Sequence, residues 1–264
     1  MNEYYFLASL LPSLEIGHVP TLGFSELKTL MDTNLSRTDR QKVRDFLNVI
    51  DFENMRALWA NEPFEPRGNC NPAQLEQALQ DHQWPFPKPF PTFLIDFLEK
   101  YRTPQEKLNH FSLLMSQFFA AEISHETGFV RDYFAFQREL RLVLLGFRAK
   151  KWGKNVAAEL QYEDGSDPIV AQILAQSDAK VYEPPFEYKE LKPIFETYAN
   201  SPLEMHKALY EYQFNHIIEL WGNEPFTVDR ILNYLARLIL VERWLELDVQ
   251  KGIQIVDRIE KEIT

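Results

Sequence analysis

The strongest constraint on the fold is a segment that the chain contains twice. Residues 52–64 and residues 214–226 share the pattern Phe-x5-Leu-Trp-x-Asn-Glu-Pro-Phe, and the second copy lies 162 residues after the first. Self-similarity at a fixed separation indicates a fold assembled from repeated units. A third, degenerate copy ends at residues 125–129, which read His-Glu-Thr-Gly-Phe. The sequence therefore predicts three similar units.

A helix-start signal and a phenylalanine locate the beginning of each unit. Thr103 and Ser201 are each followed by proline and, three positions on, by glutamate, which predicts a capped helix N-terminus. Thr38 begins a weaker version of the same signal. We predict five segments: 1–83, an N-terminal segment plus helical unit one; 84–91, a stiff Pro-rich connector packed on the body; 92–163, helical unit two; 164–185, a linker with a short helix near 169–176; and 186–264, helical unit three.

The repeated motif is interpreted as a turn between two helices. In this interpretation the proline begins the next helix, and the tryptophan and phenylalanine pack into the junction as core anchors. A general-acid role for its glutamate is the less favoured alternative. The residues concerned are Trp59, Asn61, Glu62, Pro63, Phe64, Trp221, Asn223, Glu224, Pro225 and Phe226.

Composition and periodicity favour a mainly α, cytoplasmic protein. Apolar residues recur at helical spacing, and Tyr4–Leu11 is the one strand candidate. A net charge of −11 disfavours binding to nucleic acid or insertion into anionic lipid. The single cysteine, Cys70, fits a reducing compartment and a packing role. No secretory signal or membrane-spanning run is visible.

The chain lacks the motifs of common catalytic sites. It has no phosphate-binding glycine loop and no nucleophile elbow, so no cofactor or catalytic residue is predicted. Glu122 and His125 share one helix face at the spacing found in bundle metal sites, but the second such pair is missing. A partly exposed polar face is the favoured interpretation of this pair, and a metal site is the alternative.

Basic residues cluster in one place, at the end of an apolar helix before Gly153. They are Arg148, Lys150, Lys151 and Lys154. Positive charge at a helix C-terminus interacts favourably with the helix dipole, and glycine ends the helix. The alternative is an electrostatic contact with a partner surface.

Three helical units in an acidic chain without catalytic motifs resemble a known family. It is the central-stalk component of V-type and archaeal-type rotary ATPases, known as the C-type subunit in prokaryotes and the d-type subunit in eukaryotes. Residues 2–12, Asn-Glu-Tyr-Tyr-Phe-Leu-Ala-Ser-Leu-Leu-Pro, are similar to the start of a bacterial family of otherwise uncharacterised, DUF2764-like proteins encoded beside V-type ATPase genes. This resemblance implies three pseudo-repeated helical bundles that form a funnel.

The resemblance also implies a function and partners. The protein would be a non-catalytic rotor subunit, peripheral to the inner membrane, that couples the rotating shaft to the membrane ring for proton or sodium transport. Its partners would be the shaft subunits and the rotor ring. Residues 53–56 and 138–141 resemble the family's polar-Asn-Leu-Arg helix pattern, and residues 148–153 its basic helix end. The implied interface residues are Arg56, Arg141, Arg148, Lys150 and Lys151.

Two other functions stay open at the level of sequence. The first is a stand-alone helical adaptor that binds partner helices in grooves between its bundles. The second is a metal-binding helical-bundle enzyme built around Glu122 and His125.

Overall fold

The computed structural model describes residues 3–177, 179, 181–220 and 224–263, with side chains up to Leu247. Within these ranges the chain forms helices and no β-strand, which confirms the mainly α prediction. The elements are α1 (Tyr5–Leu10), α2 (Phe24–Asn34), α3 (Arg37–Ala60), α4 (Pro72–Asp81), α5 (Thr92–Lys100), α6 (Pro104–Asn109), α7 (Phe111–His125), α8 (Gly128–Lys151), α9 (Val156–Glu159), α10 (Pro168–Ala175), a 3-10 helix (Phe186–Tyr188), α11 (Leu191–Thr197), α12 (Pro202–Glu219) and α13 (Val228–Ile263).

The N-terminal strand prediction is wrong. Residues 5–10 form α1, which buries Leu7 and exposes most of its other side chains. Among the described residues α1 has no strand beside it to pair with, so its backbone bonds internally. The Tyr4 N–H donates to the Phe226 carbonyl at 2.7 Å, and the rings of Tyr5 and Phe226 lie 4.4 Å apart. The copy of the repeated motif at 214–226 therefore anchors α1.

The predicted capping box at Thr103 is confirmed. The Thr103 hydroxyl accepts from the Glu106 N–H at 3.2 Å, and the Glu106 carboxylate accepts from the Thr103 N–H at 2.9 Å. The box predicted at Ser201 is wrong in part. Pro202 is the first residue of α12, but Ser201 makes no capping bond because its ψ of 80° departs from the extended conformation that a capping residue adopts.

Two further helix starts test the sequence patterns. Ser36, and not Thr38, caps α3: its hydroxyl accepts from the Asp39 N–H at 3.1 Å. The short helix predicted in the linker is confirmed as α10, whose first turn is held by the Asp167 carboxylate.

The first copy of the repeated motif ends α3 without beginning the next helix. Asn61 adopts the left-handed conformation (φ 53°), and its N–H donates to carbonyls of the last turn. The next helix begins at Pro72, so the prediction that Pro63 begins a helix is wrong. The cause is the Asn54 side chain, which accepts from the Glu65 N–H at 2.8 Å and donates to the Glu65 carbonyl at 2.9 Å. This pair of bonds holds the loop against α3.

The copy at 214–226 also keeps its proline outside the helix. Trp221 and Asn223 lie outside the described residues. Glu224, Pro225 and Phe226 form a turn before α13, in which the Thr227 hydroxyl donates to the Glu224 carbonyl at 3.2 Å. Because this turn precedes Val228, the prediction that Pro225 begins the helix is wrong.

One continuous hydrophobic core runs through all three predicted units. α8 lies at its centre and packs against α7, α9, α10 and α13. α13 in turn packs against α12, α8, α3, α2 and α1, and α3 packs against α6 and α4. Such a core makes the described part of the chain a single packed body, while the predicted unit boundaries stay a prediction.

The Pro-rich connector packs on this body. Trp84 is buried, and its ring lies between those of Phe86 (5.5 Å) and Phe90 (5.1 Å). The ammonium of Lys88 lies 2.9 Å from the Asp45 carboxylate on α3 and 3.0 Å from the Glu122 carboxylate on α7. The connector therefore joins two helices through one half-buried cation.

α8 tolerates no side chain at Gly146. A Cβ there would lie 2.4 Å from the buried Tyr182 ring, which packs edge-on against Phe147. We expect Gly146→Ala to lower the free energy of unfolding by about 1–2 kcal/mol, because overpacking costs about 1–3 kcal/mol and the gain in helix propensity returns only about 1. Urea denaturation measures the difference. Gly165→Ala, where a Cβ meets nothing within 4 Å, is the control; equal effects of the two changes would contradict the packing argument.

Candidate functional site

The central feature of the described structure is an open, polar cavity of about 690 Å³ between helices from all three predicted units. α3 contributes from unit one, α7 and α8 from unit two, and α12 and α13 from unit three. The loop at 62–65, which contains part of the repeated motif, closes one side. Its charged and polar walls include Glu53, Arg56, Glu62, Glu65, Gln137, Arg141, Arg148, His206, Tyr210, Gln213, Arg243 and Glu246.

Three of the five predicted interface residues line this cavity. Arg56 is exposed and pairs with Glu62 of the repeated motif, with 2.5 Å between the nearest nitrogen and oxygen. Arg141 donates to the carboxylate of Glu163, the last residue of predicted unit two. Arg148 is exposed and has no ion pair or side-chain hydrogen bond to any described residue. The cavity thus brings Arg56 of α3 together with Arg141 and Arg148, which both lie on α8.

Lys150 and Lys151 do not line the cavity. The Lys150 ammonium donates to the carbonyl of Ala179 at 2.8 Å and to that of Ser177, and the Lys151 ammonium donates to the Ala199 carbonyl. These bonds fasten the end of α8 to the segments that follow it. An interface role for the two lysines stays a prediction.

The residues of the first copy of the repeated motif differ in their burial. Trp59 is half-buried and packs against the rings of Phe97 (6.0 Å) and Phe111 (6.4 Å). Phe64 is half-buried against the core, whereas Pro63 is exposed at the cavity rim. The motif therefore combines a packed aromatic pair with an exposed polar turn.

An ion-pair network that the sequence patterns missed joins the loop to α13. Arg243 on α13 donates to Glu65 at 2.9 Å and to Glu53 at 3.4 Å. Arg67, which is buried, pairs with Glu65 and Glu242 at 2.7 Å each and also with Glu246. No local pattern reveals the bonds between the loop and α13, because Arg67 and Glu242 are 175 residues apart along the chain and Glu65 and Arg243 are 178 apart.

The network fixes the charge states of its members. Burial alone would raise the pKa of Glu65, but Arg243 and Arg67 outweigh it and hold the pKa below its ordinary value. Burial would lower the pKa of Arg243, and its neighbouring carboxylates reverse that effect. His206, an exposed residue of the cavity wall, is partly desolvated, and this effect followed by the charge of Arg148 lowers its pKa. His206 is therefore neutral at neutral pH, and positive charge in this part of the wall resides on arginine.

Glu122, the main ligand of the alternative metal site, is engaged in an ion pair in the structure. The Glu122 carboxylate is buried and pairs with Lys88, and the His125 ring bonds to the Ala121 carbonyl at 2.7 Å. In the described part of the chain no group of three histidine, cysteine or acidic side chains is arranged to hold a metal ion. Cys70 is buried beside Asp51, and burial raises the pKa of its thiol to about 12.

The described structure is thus that of an all-α protein with a charged cavity between its helices. Comparison with known proteins shows the family to which the chain belongs. The chain belongs to the family described as "Protein of unknown function (DUF2764)", whose model matches residues 1–263. Uncharacterized proteins of Chlamydia pneumoniae, Chlamydia muridarum and Chlamydia trachomatis are 35%, 33% and 34% identical to it. Each alignment covers 100% of this chain and 99% of the relative. No solved structure matches the chain.

The sequence analysis predicted no membrane-spanning run, and the structure bears on this prediction through its helices. Among the described residues, no helix has the length and apolar character needed to cross a bilayer.

The carboxyl group of Glu126 makes the free energy of unfolding depend on pH. Burial, followed by the charges of Asp45 and Glu122, raises the pKa of Glu126 from 4.5 to about 7. A raised folded-state pKa means that the folded protein binds the extra proton between these values, so its stability falls as pH rises from about 4.5 to 7. Burial raises the pKa of Asp51 to about 6, with the same sign.

We expect Glu126→Gln to remove the contribution of Glu126 to this pH dependence. The variant should equal the wild type in free energy of unfolding near pH 4.5 and exceed it at pH 8, as measured by urea denaturation. Glu76→Gln, at an exposed position on α4, is the control. Parallel pH curves for wild type and Glu126→Gln would show that the carboxyl is not desolvated.

Proposed function

We propose that this protein is a non-catalytic central-stalk subunit of a V-type ATPase, a rigid spacer between the rotating shaft and the membrane ring. In this role it works at the cytoplasmic face of the membrane and transmits torque for proton or sodium transport without a cofactor. The proposal rests on the resemblance in the opening residues and in the arginine patterns, together with the geometry of the central cavity.

The observation that carries the proposal is the convergence of three helical units on one cavity. A shaft end needs a concave seat with walls from several sides, and the cavity has walls from α3, α8, α12 and α13. Arg56 and Arg148 are exposed in those walls. Exposed charges in a concave surface orient a charged partner and accelerate its association. A funnel made of three bundles is the architecture that this arrangement supports.

Stiffness is the second requirement of a spacer, and the packing favours it. Aromatic side chains fill the core, with Phe52, Phe118 and Phe134 among the fully buried ones. Such interiors are packed as densely as organic crystals and transmit load with little compression. The ion pairs at Lys88 and Arg67 join segments that lie far apart in sequence, so that a load on one unit reaches the others.

The adaptor function is the second candidate, and one surface favours it. Tyr5, Phe6 and Leu10 on α1 are 56%, 61% and 45% exposed. Exposed apolar side chains so close together are typical of interaction sites. An adaptor would use this surface or the central cavity to hold a partner helix outside any ATPase.

The test is co-purification. We expect a tagged copy of this chain, expressed in its source organism, to purify with V-type ATPase shaft and ring subunits in a fixed ratio. The double variant Arg56→Glu/Arg148→Glu should lower the recovered ATPase at least tenfold, because it reverses the exposed charges of the cavity wall. Peptide mass spectrometry with isotope-labelled standards measures the ratio.

The matched control is Arg131→Glu, an exposed arginine on α8 that pairs with Asp132 outside the cavity. It should leave the recovery unchanged. An intact, coupled V-type ATPase from the same cells that lacks this chain would rule out the spacer. Recovery of a different partner in constant ratio would favour the adaptor.

A further inference from the structure

A smaller pocket of about 300 Å³ adjoins the central cavity between α7, the end of α8 and α9. Most of its exposed lining surface is apolar, and the lining includes the indole of Trp152, which is 63% exposed. The apolar lining residues are Phe111, Met115, Leu145, Ala149 and Trp152. A large exposed indole beside an apolar depression offers area that a ligand can bury.

The polar lining of this pocket has an excess of positive charge. Arg141, Arg148 and Lys154 face a single carboxylate, that of Glu159, which lies 3.5 Å from the Lys154 ammonium. Arg141 is paired with Glu163 outside the pocket, but its Nε is buried and has no hydrogen-bond partner. In a chain with a net charge of −11, this local reversal of sign marks a site for an anion.

Arg148 is the residue that an anion would neutralise. It belongs to both the pocket and the central cavity, and no described side chain pairs with it. Arg148 is exposed, but the protein around its guanidinium takes the place of part of its water shell, and this partial desolvation lowers its pKa. A carboxylate placed at this point would restore the lost solvation with a charge-assisted hydrogen bond.

We propose that this pocket binds an anionic amphiphile, a short acyl chain that carries a carboxylate. The acyl chain of the ligand lies on Phe111, Leu145 and Trp152, and its carboxylate pairs with Arg148. Both parts of the ligand are needed, because the lining offers both apolar area and positive charge. This inference concerns the isolated chain and does not depend on the proposed ATPase function.

Isothermal titration calorimetry of the purified full-length chain tests the site, with decanoate as the probe below its micelle concentration. We expect saturable binding of one decanoate per chain. Decanol, which lacks the charge, and decyltrimethylammonium, which reverses it, should bind at least tenfold more weakly. Arg148→Gln should weaken decanoate about tenfold, the effect of one charge-assisted bond, and Arg148→Lys should restore part of the affinity.

Two more variants keep the outcome interpretable. Trp152→Ala removes an exposed side chain and should weaken decanoate and decanol alike, whereas Arg131→Gln, on the same helix as Arg148 but outside the pocket, should change neither. Circular dichroism confirms that each variant is folded. Absence of saturable decanoate binding, equal binding of decanol, or an unchanged affinity in both Arg148→Gln and Trp152→Ala would overturn the proposal.

Discussion

The fold depends on the ion pairs between the loop after α3 and the final helix. Arg67 is buried and pairs with Glu65, Glu242 and Glu246. Arg243 on α13 also pairs with Glu65. A buried charge is costly unless several partners satisfy it, and here each guanidinium has more than one carboxylate. An apolar contact could join the same segments in many registers, whereas these bonds allow one. The network therefore fixes where the first third of the chain meets the last helix.

The remaining junctions follow the same principle. Lys88 joins the Pro-rich connector to α3 and α7. Arg138 joins α8 to Glu163, which directly precedes the linker, and to Asp167 within it. The N–H of Phe129, at the start of α8, donates to the Asp229 carboxylate on α13 at 3.2 Å. Around one continuous aromatic core, polar bonds thus set the relative positions of the helices, and the central cavity has walls that belong to one body.

Local features could be predicted from the sequence, and distant partners could not. Helical periodicity predicted the class. The capping pattern at Thr103 predicted the start of α6, and the segment at 169–176 predicted the short helix α10. The patterns failed at Pro63, because the Asn54 side chain on α3 holds the loop backbone, and propensity does not report such a bond. The arginine pattern at Arg56 predicted a residue that lines the cavity, whereas nothing near Arg67 or Arg243 indicates their partners across the chain.

A spacer can work only if the three helical units form a single stiff body. Native-state hydrogen exchange tests this property most directly, because it measures the opening free energy of each amide. We expect the most protected amides of α3, α8 and α13 to share one opening free energy to within about 1 kcal/mol, the value for global unfolding. Separate values for the three helices, with one unit opening while the others stay closed, would contradict a single body.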